Sequence, residues 1–250
     1  MKLTPQHPAL TEARTIHVKA RRPVSDSVQL LKPVSNNSKL GKGDATIRKG
    51  KWFGFPLFSL TLEERATCPS TCNRWAECYG NGMAFGHRFG HGPALERQLE
   101  LEVAALASRY PRGFAIRLHV LGDFYSVGYV GHWRTLLARH PNLLIYGYSA
   151  RYGCEIGRAI QEVRLRFPAR FWVRFSKNHA HDGYSIFAAE EGTVPGAIVC
   201  PEQTGKAQSC LDCGLCWSVD RTIAFVDHDK LAKQRKNHEK SEPGQIVAQY

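Results

Sequence analysis

Seven of the eight cysteines in the 250-residue chain fall in two tight groups: Cys68, Cys72 and Cys78, then Cys200, Cys210, Cys213 and Cys216. Thiolates at close spacing are soft ligands that suit zinc or iron–sulfur clusters. The second group, with nine, two and two residues between its members, is a four-thiolate set. Its short successive spacings and more distant fourth member are similar to a [4Fe–4S] ligand run, whereas zinc sites usually show two separated pairs. The first group, spaced by three and five residues, offers three thiolates. Three ligands on a four-iron cluster leave one iron open to a small molecule. A fourth ligand from His87, His91 or Cys154 would close the site, and a zinc knuckle that only pins the loop is the plainer alternative. Cys154 otherwise reads as a small packed residue.

Other polar residues are compatible with ligand binding. Asp123, within Leu121-Gly122-Asp123-Phe124-Tyr125-Ser126, could take the ammonium group of a ligand or order the turn before a helix capped by Ser126. Ser149 and Arg151 follow closely in sequence on the next strand end, and Arg151 could clamp a carboxylate or sit solvated at a helix start. His87 and His91 lie in a Gly-rich stretch that reads as a flexible surface loop. Thr204-Gly205-Lys206 lacks the upstream glycines of a phosphate loop.

The elements that must position these residues alternate. Phe53–Leu60 reads as a first strand. Pro93 begins a helix with Leu95, Leu99, Val103 and Leu106 on one face. Further strands are expected at Phe114–Leu121, Leu143–Tyr148, Phe171–Phe175, Ala197–Val199 and Thr222–Val226. Helices are expected through Val130, Trp133 and Leu137, and through Ile156, Ile160, Val163 and Phe167. Such alternation implies right-handed βαβ units and a parallel sheet, either a partial (βα)6-type barrel or an open doubly wound sheet. Sites in both form at the carboxyl ends of the strands, where the Cys-rich loops, Asp123, Ser149, Arg151 and the Ser176-Lys177-Asn178 stretch all fall.

Composition bounds the rest. With 43% hydrophobic and 10% aromatic residues the chain is of globular type, and no run approaches the roughly 20 apolar residues that span a membrane. The Met1-Lys2-Leu3-Thr4-Pro5 start lacks a secretory pattern, so a cytoplasmic location without membrane partners is expected. The net charge of +12 is uneven: residues 1–51 carry 11 Lys or Arg against 3 acids and no aromatic residue. Three regions follow: a peripheral basic arm over 1–51, an α/β Cys-cluster domain over 52–228 and a polar tail over 229–250. Arg21, Arg22, Arg48, Lys49 and Lys51 of the arm are candidates for salt-sensitive contacts with nucleic-acid phosphates.

The set Thr67-Cys68-Pro69, Cys72, Cys78-Tyr79, Arg117–Ser126, Tyr148-Ser149-Ala150-Arg151 and Cys213-Gly214-Leu215-Cys216-Trp217 resembles the gene product 88 domain family of phage and mobile-element proteins. A more distant resemblance is to radical S-adenosylmethionine enzymes. These use a partial (βα) barrel, a three-Cys cluster loop after the first strand and a polar motif after the second that holds the methionyl amine. Cys68, Cys72 and Cys78 occupy the first place and Gly122-Asp123 the second. That resemblance implies a site-differentiated [4Fe–4S] cluster on the first group and an auxiliary cluster on Cys200, Cys210, Cys213 and Cys216. It further implies S-adenosylmethionine held by Asp123, Ser149 and Arg151, and an external electron donor. The reading from a different class is a zinc-stabilised nucleic-acid-binding protein without catalysis.

Overall fold

The computed structural model describes residues 1–177, 185–188 and 196–226. A short helix α1 (Pro8–Thr11) precedes strands β1 (Arg21–Arg22), β2 (Lys32–Pro33), β3 (Leu57–Leu60) and β4 (Arg88–Phe89). Helices and strands then alternate as α2 (Pro93–Arg109), β5 (Phe114–Leu118), α3 (Val127–Arg139), β6 (Leu143–Ser149), α4 (Glu155–Arg166) and β7 (Phe171–Lys177). The elements β8 (Ser185–Ala188), β9 (Ile198–Val199), α5 (Cys210–Cys213) and β10 (Ile223–Val226) follow.

The local sequence accounts for the long helices. Pro93 occupies the first turn of α2, where its missing N–H costs nothing. The Ser126 hydroxyl accepts the Tyr129 N–H at 3.0 Å and caps α3. Leu95, Leu99 and Val103 of α2, Val130, Trp133 and Leu137 of α3, and Ile160 and Val163 of α4 are buried, as their spacing requires.

The main sheet runs β2-β3-β5-β6-β7-β8-β10-β9, parallel throughout except for the antiparallel β2–β3 pair. From β3 to β7, strands that follow one another in sequence lie side by side, so the crossover helices stack on one face. That face forms one apolar core with Phe114, Ile116, Leu143, Ile145, Phe171 and Val173. Alternate residues of the same strands, Ala115, Leu144, Tyr146 and Trp172, point the opposite way. The chain is thus a mixed α/β fold with parallel strands in its central sheet.

Among the described residues none of the long helices α2 to α4 contributes to the packing on that second face. Val34, Leu40, Ile47 and Trp52 from the amino-terminal stretch pack onto it with Leu211 and Trp217. The rings of Trp52 and Trp217 stack at 5.4 Å with 6° between their planes. The basic arm is therefore not peripheral, because its widely spaced apolar residues cover half of the sheet. Leu30 and Leu31 are buried in the first core, their N–H groups held by the Glu102 carboxylate at 2.6 and 2.8 Å.

Other expectations shift. The first strand begins at Leu57, since Phe53 and Phe55 bond back into turns at Gly50 and Trp52. The strand expected over 114–121 ends at Leu118. Strand β8 was not foreseen, and it displaces Ile198–Val199 to the sheet edge beyond β10. The stretch around His87 is not a free loop: Arg88 and Phe89 are buried and pair with β1. Asn178 and the tail over 229–250 lie outside the described residues. Among the described residues no helix is long and apolar enough to cross a membrane.

Candidate functional site

The first Cys loop leaves the carboxyl end of β3 and is anchored by buried charge. Glu64 and Arg88 form an ion pair at 2.7 Å with both side chains essentially inaccessible. Arg88 also donates to the carbonyls of Gly80 at 2.9 Å and Met83 at 3.0 Å, and Thr15 donates to Glu64 at 2.7 Å. Arg65 reaches the Trp75 carbonyl at 3.0 Å and the Asn81 side chain at 2.5 Å. Both ends of the Cys-bearing segment are thereby fixed. Burial raises the Cys68 and Cys72 thiols above their ordinary range and pushes Cys78 up to about 11. Cys68 additionally feels the charges of Asp123, Cys72 and Cys78, so the group resists ionising together.

Asp123 stands beside this group, after the carboxyl end of β5. Gly122 has φ +83°, and a Cβ there would lie 2.6 Å from both Leu62 Cβ and Thr67 Oγ1. Glycine therefore lets the Asp123 turn press against the Cys loop. The buried carboxylate accepts N–H groups from Phe124 and Ala150, each at 2.7 Å, and Ser149 hydrogen-bonds to it as well. Burial raises it to about 6 despite these bonds and the Arg151 charge. Asp123 thus orders two turns, the plainer of its two sequence readings, while retaining acceptor capacity. Arg151 donates to the carbonyls of Phe124 at 2.9 Å and Thr67 at 2.7 Å, which ties the β6 end to the Cys loop. Asp123, Ser149, Arg151 and the first cysteines are brought together. His119, next to them in sequence, is buried with Nε2 3.1 Å from Tyr129 Oη; burial and the Arg117 charge hold it down at about 3, hence neutral.

The second group gathers against the sheet face opposite α2 to α4. Cys200, Cys210, Cys213 and Cys216 line one narrow hollow with Glu202 and Trp217. Tyr148 donates to Cys216 Sγ, and Arg174 Nε donates to the Cys216 carbonyl at 2.9 Å. The amino-terminal stretch holds the other end: Cys210 N–H donates to Lys39 O at 3.0 Å, and Arg48 clasps Asp212 at 2.7 and 2.9 Å. Burial pushes Cys200 up to about 11 and raises Cys210 and Cys213. Arg117 lies between the two regions, its guanidinium 4.5 Å from the centre of the Tyr148 ring and within electrostatic reach of Tyr79 and Cys210.

Among the described residues, no three His, Cys, Asp or Glu side chains converge as a metal-holding set. The thiols are grouped by the fold rather than closed on a point. None of the three suggested fourth ligands is buried: His87 and His91 are exposed, and exposed Cys154 donates to the Arg151 carbonyl at 3.1 Å. Of the arm cations, Arg21 pairs with buried Glu63 at 3.0 Å, Arg48 is committed to Asp212 and Asp44, and Lys51 lies over the Trp172 ring. Arg22 donates to Lys19 O and Arg21 O, and Lys49 lends its carbonyl to the close approach of Gly214. The anchors Thr15, Glu64, Arg65, Arg88 and Arg174 escaped the sequence reading. The signals were the charged triple Glu63-Glu64-Arg65 at a strand end and an arginine inside the apolar run Phe171–Phe175.

A family model described as "Gene product 88" matches residues 29–241. The "Gene 88 protein" of Mycobacterium phage L5 is 26% identical over 127 residues, which is 44% of this chain and 53% of that protein. The chain thus spans about half the length of the curated relative it matches. No solved structure matches it.

Proposed function

The chain belongs to the gene product 88 family, and from that premise we propose that it is an iron–sulfur protein with a radical S-adenosylmethionine-like site. One observation carries the reading: Cys68, Cys72 and Cys78 lie within reach of one another's charge and of Asp123, at the carboxyl end of a parallel sheet. Buried thiols that oppose one another's ionisation are a donor set that a cationic iron core completes. The sequential strand order with helices on one face supports a partial (βα) barrel as the architecture.

In this reading Cys68, Cys72 and Cys78 hold a site-differentiated cluster, and Cys200, Cys210, Cys213 and Cys216 hold an auxiliary one. When bound, a four-iron cluster supplies one electron, which on a sulfonium breaks one carbon–sulfur bond to give a thioether and a carbon radical. An external donor supplies the electron. Asp123 offers its remaining lone pair to the ligand's ammonium group, and Arg151 holds the two loops that flank it. The Ser149 hydroxyl fixes the carboxylate by its hydrogen bond.

The test is iron and acid-labile sulfide in full-length protein purified without oxygen. Brown protein with about seven to eight irons and equal sulfide is expected, falling by about half in Cys72→Ala. Added S-adenosylmethionine should alter the electron paramagnetic resonance signal of the cluster lost in that variant. Colourless protein with zinc and no sulfide overturns the reading.

A further inference from the structure

A surface hollow of about 640 Å3 lies between residues 16–22 and residues 84–87, with no cysteine in its wall. His17, Lys19, Arg22 and His87 contribute to its wall, and among the described residues no acidic side chain does. Arg22 is held in place, its Nη1 donating to Lys19 O at 2.7 Å and to Arg21 O at 3.0 Å. Burial, with the charges of Arg22 and Lys32, lowers the proton affinity of His87. Phe85 projects into solvent at the same place, 97% exposed, with Val18 51% exposed beside it.

An exposed aromatic ring among cations that pair with no carboxylate among the described residues has two separate physical costs, and one kind of ligand relieves both. Phosphates satisfy the cations, and an unpaired base covers the ring by stacking. A duplex buries its base faces and cannot do the second. The geometry points to a docking site for single-stranded nucleic acid, with a base on Phe85 and adjoining phosphates at Lys19 and Arg22. The neutral His87 ring adds an N–H donor. This site stands without the iron–sulfur reading, since none of the cysteines assigned to a cluster contributes to its wall. It also adjoins the first Cys loop: His17 Nε2 lies 3.0 Å from the Asn81 carbonyl, three residues beyond Cys78. If both readings hold, nucleic acid is the substrate class.

The experiment is fluorescence anisotropy of a labelled twelve-residue oligothymidylate with the full-length protein across a range of salt. Phe85→Ala should weaken binding by about 5- to 150-fold while leaving the salt slope unchanged. Lys19→Ala should reduce that slope by about 0.7, the effect of one lost phosphate contact on a single strand. Arg158→Ala, at an exposed arginine on α4, should do neither. Unchanged melting temperatures will show that these exposed positions leave the fold intact. Equal binding by Phe85→Ala and the unaltered protein overturns the proposal, as does equal affinity for a duplex of the same length. Equal losses from Arg158→Ala and Lys19→Ala would reduce it to diffuse charge attraction and overturn it too.

Discussion

Tyr148 Oη donates a 2.7 Å hydrogen bond to Cys216 Sγ, joining the central strand β6 to a cysteine 68 residues later. The same ring lies against the Arg117 guanidinium at 4.5 Å and edge-on to Phe225 at 5.3 Å. Its hydroxyl can therefore be removed without moving the ring. A hydrogen bond to a charged acceptor contributes about 1.5–3 kcal/mol. Tyr148→Phe should accordingly loosen metal at the second Cys group by roughly 10- to 150-fold, measured by chelator competition on zinc-loaded protein. Unchanged retention would show that Cys216 is not a ligand.

The Glu64–Arg88 pair gives a stability prediction. Removing one partner of a buried ion pair leaves an uncompensated charge and costs about 3–5 kcal/mol. Arg88→Met should lower stability by that amount in urea titration and expose residues 65–83 to proteolysis. The double variant Glu64→Gln with Arg88→Met should recover part of the loss. Equal stability of Arg88→Met and the unaltered protein would mean that the pair does not anchor the loop.

Asp123 predicts a pH dependence. Burial raises its carboxyl to about 6 from an ordinary 3.8, so the folded chain holds this proton more tightly than the unfolded chain does. Its contribution to stability therefore falls as pH rises from about 4 to about 6 and is level above that. At about 1.4 kcal/mol per unit, ionisation costs about 2–3 kcal/mol at neutral pH. Between pH 4 and pH 7, the unaltered protein should lose about that much relative to Asp123→Asn by urea midpoint. Parallel behaviour of the two would return the carboxyl to its ordinary affinity.

The alternating part of the fold was legible because helices α2 to α4 bury regular stripes and strands β5 to β7 are mostly apolar runs. The grouping of the first cysteines with Asp123 was legible from their common place after strands. The amino-terminal stretch was not. Val34, Leu40 and Ile47 follow no period, and their burial depends on a sheet face assembled from Leu57, Ala115, Leu144, Tyr146 and Trp172, most of them more than sixty positions away. Charge misled for a related reason: Arg88 and Arg174 are buried because Glu64 or backbone carbonyls meet them. Such partners are chosen by the fold and leave no local pattern.

The Trp52–Trp217 stack separates the start of synthesis from the end of folding. Some 165 residues must be translated after Trp52 before its partner exists. Trp172 of the same sheet face precedes Trp217 by 45 residues, so at about 5–20 residues per second the face waits roughly 2–9 s for the Leu211 and Trp217 part of its cover. Over that interval Tyr146 and Trp172 have only the earlier-made Val34, Leu40, Ile47 and Trp52 to pack against, and their cover is incomplete. The nascent chain is then a natural client for chaperones, and its yield in a host cell will depend on how quickly translation delivers the last cysteines.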